Sequence, residues 1–475
     1  MFQKRAIFVN TASQVLVRFV TLAFTLISIK LLSNYLGTAG VGNYNTITTY
    51  INFFIVIADL GLFSVAVREI SKKPDDEKKI LANVFYLRLI TAIIASLIAI
   101  IIVYFTQYSH DIKLGTTIAT LFLFFNLASS AYDMALQYRL KMQFSALAEF
   151  LSKLVTLVAL YIIIRMQGSF LWITATIALS GFLIYILKWL FSVKFIKVWP
   201  AYDKKIADWI FQMAWPLGIV FIANNLFFKL DTLMLFVIKG SVEVGIYSVA
   251  YKVLEVTIFI AAYFSSALKP TISKEIHSNK IALAKIIEKS LLVLFLAAAP
   301  ITIVCIAFSK DIILFLSNME FIGGANALIV LAITLPLIYL CMLFSEILIA
   351  NDSRKLLIKI SAFILIFNFL INLAIIPLYS FMGAAYTTLL SEIVLFGIMI
   401  YYTKKIVPFS IGYGSLTKPL LLFVLTLLSA FLIKQFIPIN FLILIAMVIG
   451  IYFLWSYLLG IIQIKTISNL LKGQE

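Results

Sequence analysis

The chain has 475 residues, 63% of them hydrophobic and 12% charged, with 41 Phe and a net charge of +17. Soluble domains run at roughly 45–50% apolar and about 25% charged residues, so this chain lacks the polar shell of a soluble fold. A disordered chain would not carry so many aromatics.

Apolar runs long enough to cross a bilayer predict helices near 10–36, 43–67, 80–105, 114–138, 144–164, 170–193 and 210–236, and again near 244–268, 285–308, 325–350, 356–377, 382–402, 416–435 and 441–463. The expectation is an all-α polytopic membrane protein of about fourteen transmembrane helices. Lys4 and Arg5 precede the first run, but Arg18 and Lys30 interrupt it without a small-residue cleavage site, so it reads as a first membrane helix rather than a signal peptide. Cys305 and Cys341 both fall in apolar runs and read as packing residues.

The connections alternate in charge. One class is basic, typified by Arg68, Lys72, Lys73, Lys78 and Lys79 and by Lys188, Lys194, Lys197, Lys204 and Lys205; the other holds only Lys113, Arg165, Lys239, Lys310 and Lys434. Positive loops resist translocation, so both termini are expected in the cytoplasm, with anionic membrane lipids as neighbours of the basic loops. The basic balance then calls for no nucleic-acid partner.

VGNYNTITTYINFF at 41–54 matches VGIYSVAYKVLEVT at 244–257 at an offset of 203 residues. Six helices separate the copies, so the repeats share one orientation and predict two parallel six-helix lobes. The expected division is 1–197, 198–405 and a C-terminal pair of helices in 406–475. A solute path is expected where such repeats meet, and the polar residues single out its lining. Thr11, Gln14, Arg18, Thr21, Thr25 and Ser28 share one face of the first helix. Asn45, Thr49 and Asn52 form a stripe on the second, with Asp59 beyond it, and the repeat places Ser248, Lys252 and Glu255 at the matching positions of the eighth. Asn224, Asn225, Lys229 and Asp231 make the seventh helix polar.

A charge at the bilayer centre costs on the order of 2.5–3.5 kcal/mol even on a lenient scale. Arg18 therefore either binds an anionic headgroup, for which its forked guanidinium suits phosphate, or pairs with an acid such as Asp59 or Glu255. Lys252 and Glu255 are one turn apart and either neutralise each other or serve a solute. Lys30 and Lys229 reach the outer interface or the path, and Arg88 in the third helix is a further candidate cation. Among the intramembrane acids Asp59, Asp133, Glu149, Glu255, Glu346 and Glu392, the helices shared with the polar stripes favour Asp59 and Glu255 for ion coupling, with Asp231 beside them. His110 and His277 lie in loops, so no metal site is expected. GTAGVG at 37–42 lacks the GK[ST] of a P-loop and reads as a turn. Pro216, Pro270, Pro336 and Pro377 are candidate bends or ends.

YLGTAGVGNYNTITTYINFFIVIADLGLFSVAVREIS at 35–71, VGIYSVAYK at 244–252, and LIANDSRK with IPLYSFMGAAYTTLLSE within 348–392 resemble the polysaccharide-repeat-unit (O-antigen, Wzx-type) flippases of bacterial envelopes, relatives of the MATE exporters and the peptidoglycan lipid flippases. The resemblance implies a two-lobed, V-shaped, MATE-like transporter of the bacterial inner membrane with no cofactor and no enzymatic activity. Its substrate would be an oligosaccharide on undecaprenyl pyrophosphate, moved between leaflets by alternating access, with H⁺, Na⁺ or the membrane potential as the driving force. It also implies a cationic cavity, carried here onto Arg18, Lys30, Lys229 and Lys252, and a polysaccharide polymerase and chain-length proteins as partners. A multidrug or metabolite exporter of the same fold is the first alternative. A membrane polymerase or ligase is the second, disfavoured because the longest outer connection, 309–324, is too short for a catalytic domain.

Overall fold

The computed structural model describes the backbone of residues 2–72, 74–195, 197–410 and 413–461, and their side chains apart from 2–16, 64, 74, 216–217, 219–221, 223–225, 228 and 413–416. The described chain is helical throughout, as apolar runs require when each backbone N–H and C=O must be paired inside the segment. The helices are α1 (Phe2–Asp59), α2 (Leu62–Lys72), α3 (Glu77–Phe105), α4 (His110–Tyr138), α5 (Met142–Arg165), α6 (Phe170–Ser192) and α7 (Lys204–Lys239). They continue as α8 (Ser241–Ser278), α9 (Lys280–Ala307), α10 (Ser309–Leu316), α11 (Gly324–Ala350), α12 (Arg354–Ile406), α13 (Tyr413–Phe436) and α14 (Phe441–Leu458).

Among the described residues, 11 helices are long and apolar enough to cross a membrane. Two of these are double. Helix α1 breaks at Gly37 (φ 63°) and α12 at Ser380 (φ 54°), each joining two arms of membrane-crossing length. Together with the 36-residue α7, this restores the fourteen segments expected. The glycine-rich stretch read as a turn contracts to a break at Gly37 alone, where a residue without a Cβ takes positive φ at no steric cost. Ser380 takes positive φ with a side chain, three residues after Pro377.

One local expectation changes. The second predicted helix is interrupted at Leu60 and Gly61, both at positive φ, before α2 resumes. The connection 309–324 carries α10 and a 3-10 turn at Met319–Phe321.

By packing, the chain forms two units, Met1–Gly245 and Ile246–Glu475. The repeat places a boundary at 197, whereas α7 packs on α1, α2 and α3 and so lies within the first unit. In that unit one apolar cluster joins α2, α3 and α4 to Val198, Ile210 and Ala214, and a second joins the second arm of α1, after Gly37, to α3 and α4. Helices α4 and α6 pack closely, and a Cβ on Gly181 would stand 2.8 Å from the Phe122 backbone; small residues permit such approach where lipid supplies no hydrophobic drive. In the second unit α13 and α14 pack on α9 through Leu422, Ala430, Val448 and Tyr452. Tyr452 donates to the Leu296 carbonyl at 2.8 Å, and Lys434 bonds the Ala307 carbonyl and Asp311.

The repeat is visible in backbone geometry. A Cβ on Gly42 would lie 1.8 Å from the Ser241 carbonyl oxygen, and one on Gly245 would lie 2.0 Å from that of Thr38. Thr38 and Ser241, like Gly42 and Gly245, are 203 residues apart. Residue i thus meets the partner of j while j meets the partner of i, the reciprocity of two-fold-related segments. All four residues belong to the first unit.

Candidate functional site

The first-helix stripe is built economically. Thr21 donates to the Arg18 carbonyl at 2.9 Å, Thr25 to the Thr21 carbonyl at 2.9 Å, and Ser28 to the Phe24 carbonyl at 2.8 Å. Each hydroxyl proton is satisfied within its own helix, so the stripe is tolerable in hydrocarbon while its oxygens still accept from a solute. Arg18 and Lys30 on this helix are partly buried. Thr11 and Gln14 lie outside the described side chains, as do Asn224 and Asn225 on α7. On the second arm of α1, Asn45 donates to the Val41 carbonyl at 3.0 Å and Asn52 to the Thr48 carbonyl at 2.8 Å, while Thr49 is buried.

Asp59 ends that arm, and its two oxygens have separate tasks. One accepts from Arg88 Nη2 at 2.6 Å; the other accepts from the Gly61 backbone N–H at 3.1 Å and so caps the break in the helix. Arg88 on α3 is fully buried, and its Nε and Nη1 have no hydrogen-bond partner. The sequence offers Arg18 as a partner for Asp59; the geometry supplies Arg88, a residue the sequence did not pair with it. In this conformation no face of the Arg88 guanidinium is open to a solute. On α7, Asp231 is buried and Lys229 partly so.

In the second unit Ser248, Lys252 and Glu255 are partly buried on α8. Lys252 bonds Glu255 at 2.6 Å, with side chains 29% and 34% exposed. The pair is local to one helix turn and open enough for either partner to be recruited elsewhere.

Two polar groups escaped the sequence reading. Lys188 was counted among loop charges but lies inside α6, nearly fully buried, 2.6 Å from Asp133 and 3.3 Å from Glu149, with Ser145 donating to the other Asp133 oxygen. The acids were visible in their apolar runs, and a basic residue within reach on the next helix was the signal for the third member. In α12, Asn368 and Asn372 are buried one turn apart, and Asn368 donates to Ser391 on the other arm at 3.2 Å; Glu392 beside it is also buried. The four-residue spacing of the two asparagines in an otherwise apolar helix carried that information.

Outside the spans, two groups are tuned. Burial pushes the Glu69 carboxyl up, but hydrogen bonds from Lys72 at 3.0 Å and Arg68 at 2.9 Å outweigh it and hold the group below its ordinary value. Arg139 is raised by its two bonds to the Glu77 carboxylate. No group of three or more His, Cys, Asp or Glu among the described residues is placed to hold a metal ion.

Comparison with known proteins adds the following. The family described as "Polysaccharide biosynthesis protein" matches residues 7–276, more than half of the chain, and the family described as "MatE" matches 216–378. No curated protein matches. Among solved structures, "Lipid II flippase MurJ, inward closed conformation" superposes with a TM-score of 0.79 at 14% identity, covering 94% of this chain and 98% of that one. A multidrug resistance MATE family transporter in its inward-facing conformation gives 0.61 at 13% identity over 83% and 98%. A transporter of the MOP superfamily from Pyrococcus furiosus gives 0.62 at 14% over 85% and 96%.

Proposed function

Since the chain belongs to the polysaccharide biosynthesis protein family, we propose that it is a flippase that moves an undecaprenyl-pyrophosphate-linked oligosaccharide repeat unit from the cytoplasmic to the periplasmic leaflet of the bacterial inner membrane. The observation that carries the reading is the family match, on a fold shared with a protein named as a lipid II flippase. The partly buried cations Arg18, Lys30, Lys229 and Lys252 support it, because they place positive charge at membrane depth where a diphosphate needs it.

The physical case rests on the headgroup. Each unsatisfied polar group of a sugar costs several kcal/mol in hydrocarbon, so hydroxyls and phosphates need a polar route while the polyprenyl tail stays in lipid. Arg18 binds the diphosphate bidentately, and the Thr21, Thr25 and Ser28 oxygens accept from sugar hydroxyls. Moving about two negative charges outward across an inside-negative potential of about 100 mV releases roughly 4–5 kcal/mol. The potential alone then drives alternating access in one direction, with H⁺ or Na⁺ exchange as the other route. The product, on the outer leaflet, is what a polysaccharide polymerase and its chain-length proteins would consume.

Deletion of the gene is expected to accumulate an undecaprenyl-pyrophosphate oligosaccharide, read by mass spectrometry of extracted lipids. The wild-type gene relieves this and Arg18→Ala does not. The match of 216–378 to the MatE family favours one second reading, a multidrug or metabolite exporter. No accumulation, together with new sensitivity to cationic drugs, would replace the first reading by the second.

A further inference from the structure

The connector between α6 and α7, described at residues 193–195 and 197–203, is anchored at several points and carries an exposed apolar surface. The Phe195 carbonyl accepts from Arg139 at 2.9 Å, and its ring lies tilted against Phe144 with Lys141 over its face. Val198 is buried in the cluster that contains Leu81, Ile210 and Ala214. Ala201 N–H donates to the Ala82 carbonyl at 3.2 Å, and Asp203 N–H donates to Asn83 at 2.7 Å. Asp203 in turn caps α7 by accepting from the backbone of Lys205 and Ile206.

On this fixed strip Trp199 is 75% exposed and Tyr202, packed on Tyr86, is 56% exposed. Around them Lys194, Lys197, Lys204 and Lys205 are all exposed, and no ion pair joins them to any acid among the described residues. The acids nearby are Asp203, committed to its cap, Asp208, and Glu77, which is neutralised by Arg139, so the strip carries an excess of positive charge. An indole left outside the protein needs an environment that is apolar on one side and wet on the other, and the headgroup region of a bilayer is that environment. Free lysine ammonium groups around it select the charge of the lipid.

We propose that the α6–α7 connector is a binding site for the anionic phospholipid headgroups of the leaflet it faces, with Trp199 as the interfacial anchor and Lys194, Lys197, Lys204 and Lys205 as the phosphate contacts. The site is separate from the transported substrate, so it stands or falls independently of the flippase reading. It tethers the end of the first unit where α2, α3, α4 and α7 meet through their apolar cluster.

The test uses the purified full-length protein in a neutral detergent. Its thermal midpoint is measured after addition of phosphatidylglycerol, of phosphatidylcholine or of inorganic phosphate, and retained lipids are counted by native mass spectrometry. Phosphatidylglycerol is expected to raise the wild-type midpoint more than phosphatidylcholine does, and phosphate to leave it unchanged. Replacing Lys194, Lys197, Lys204 and Lys205 by Gln removes more than half of that rise without altering the lipid-free midpoint, and Trp199→Ala reduces it. A control with Lys280, Lys285, Lys404 and Lys405 replaced by Gln, all exposed lysines of the second unit, keeps the full rise. If the quadruple variant does not purify, the pair Lys197→Gln and Lys204→Gln carries the same comparison. An equal loss in the control, an unchanged rise in the connector variants, or a rise reproduced by phosphate would each overturn the proposal.

Discussion

Arg88 and Asp59 show how a charge persists inside an apolar helix. With Arg88 fully buried and its partner 31% exposed, removing one member leaves the other uncompensated, which costs about 3–5 kcal/mol, whereas removing both costs less. Asp59→Asn and Arg88→Met are each expected to lower the thermal midpoint in detergent strongly, and the double variant less than the sum of the two. Lys252→Ala should cost less than the loss of Arg88, because its pair is partly exposed and made within one helix turn, so a transport defect larger than the stability loss would report on the solute. Glu69 supplies a pH dependence. Its carboxyl lies below the ordinary range when folded, so it contributes stability above the unfolded value and loses it as the pH falls through the folded value. Glu69→Gln should therefore flatten the acid side of the stability profile and leave neutral pH with the smaller stability. Of these residues, the sequence disclosed the intramembrane charges by their cost; it did not disclose which would meet, because Asp59 and Arg88 are 29 positions apart and Lys188 and Asp133 are 55 apart.

The helices were legible because their apolar runs are long, and their breaks were legible where glycine marks them. The turn at Gly37 follows this rule, the break at Leu60 is marked by the adjoining Gly61, and the one at Ser380 by Pro377, although Leu60 and Ser380 themselves seldom take positive φ. The reciprocal approach of Gly42 to Ser241 and Gly245 to Thr38 gives the repeat a physical consequence. Any side chain there meets backbone rather than a movable side chain, so relief requires moving a helix. Gly42→Ala and Gly245→Ala are each expected to cost about 1–3 kcal/mol or more, read as reduced yield and a lower midpoint, whereas Gly397→Ala, with open space around it, should be neutral.

For the molecule as a whole, the charge alternation predicts orientation. Cys305 and Cys341 are buried, which leaves a clean background for thiol labelling. Ser278→Cys in the α8–α9 connection and Ser169→Cys before α6, both exposed, should behave oppositely in spheroplasts: a membrane-impermeant maleimide labels Ser169→Cys in intact cells and Ser278→Cys only after permeabilisation. Labelling of both from outside would remove the positive-inside assignment. Fold class, helix number and the parallel repeat were determined by the sequence alone, because hydropathy over about 20 residues and a conserved spacing between motif copies are one-dimensional quantities. Tertiary structure decided which buried charges neutralise one another, where α7 packs, and how the α6–α7 connector is anchored. Those depend on contacts between positions far apart in the chain, and no local pattern encodes them.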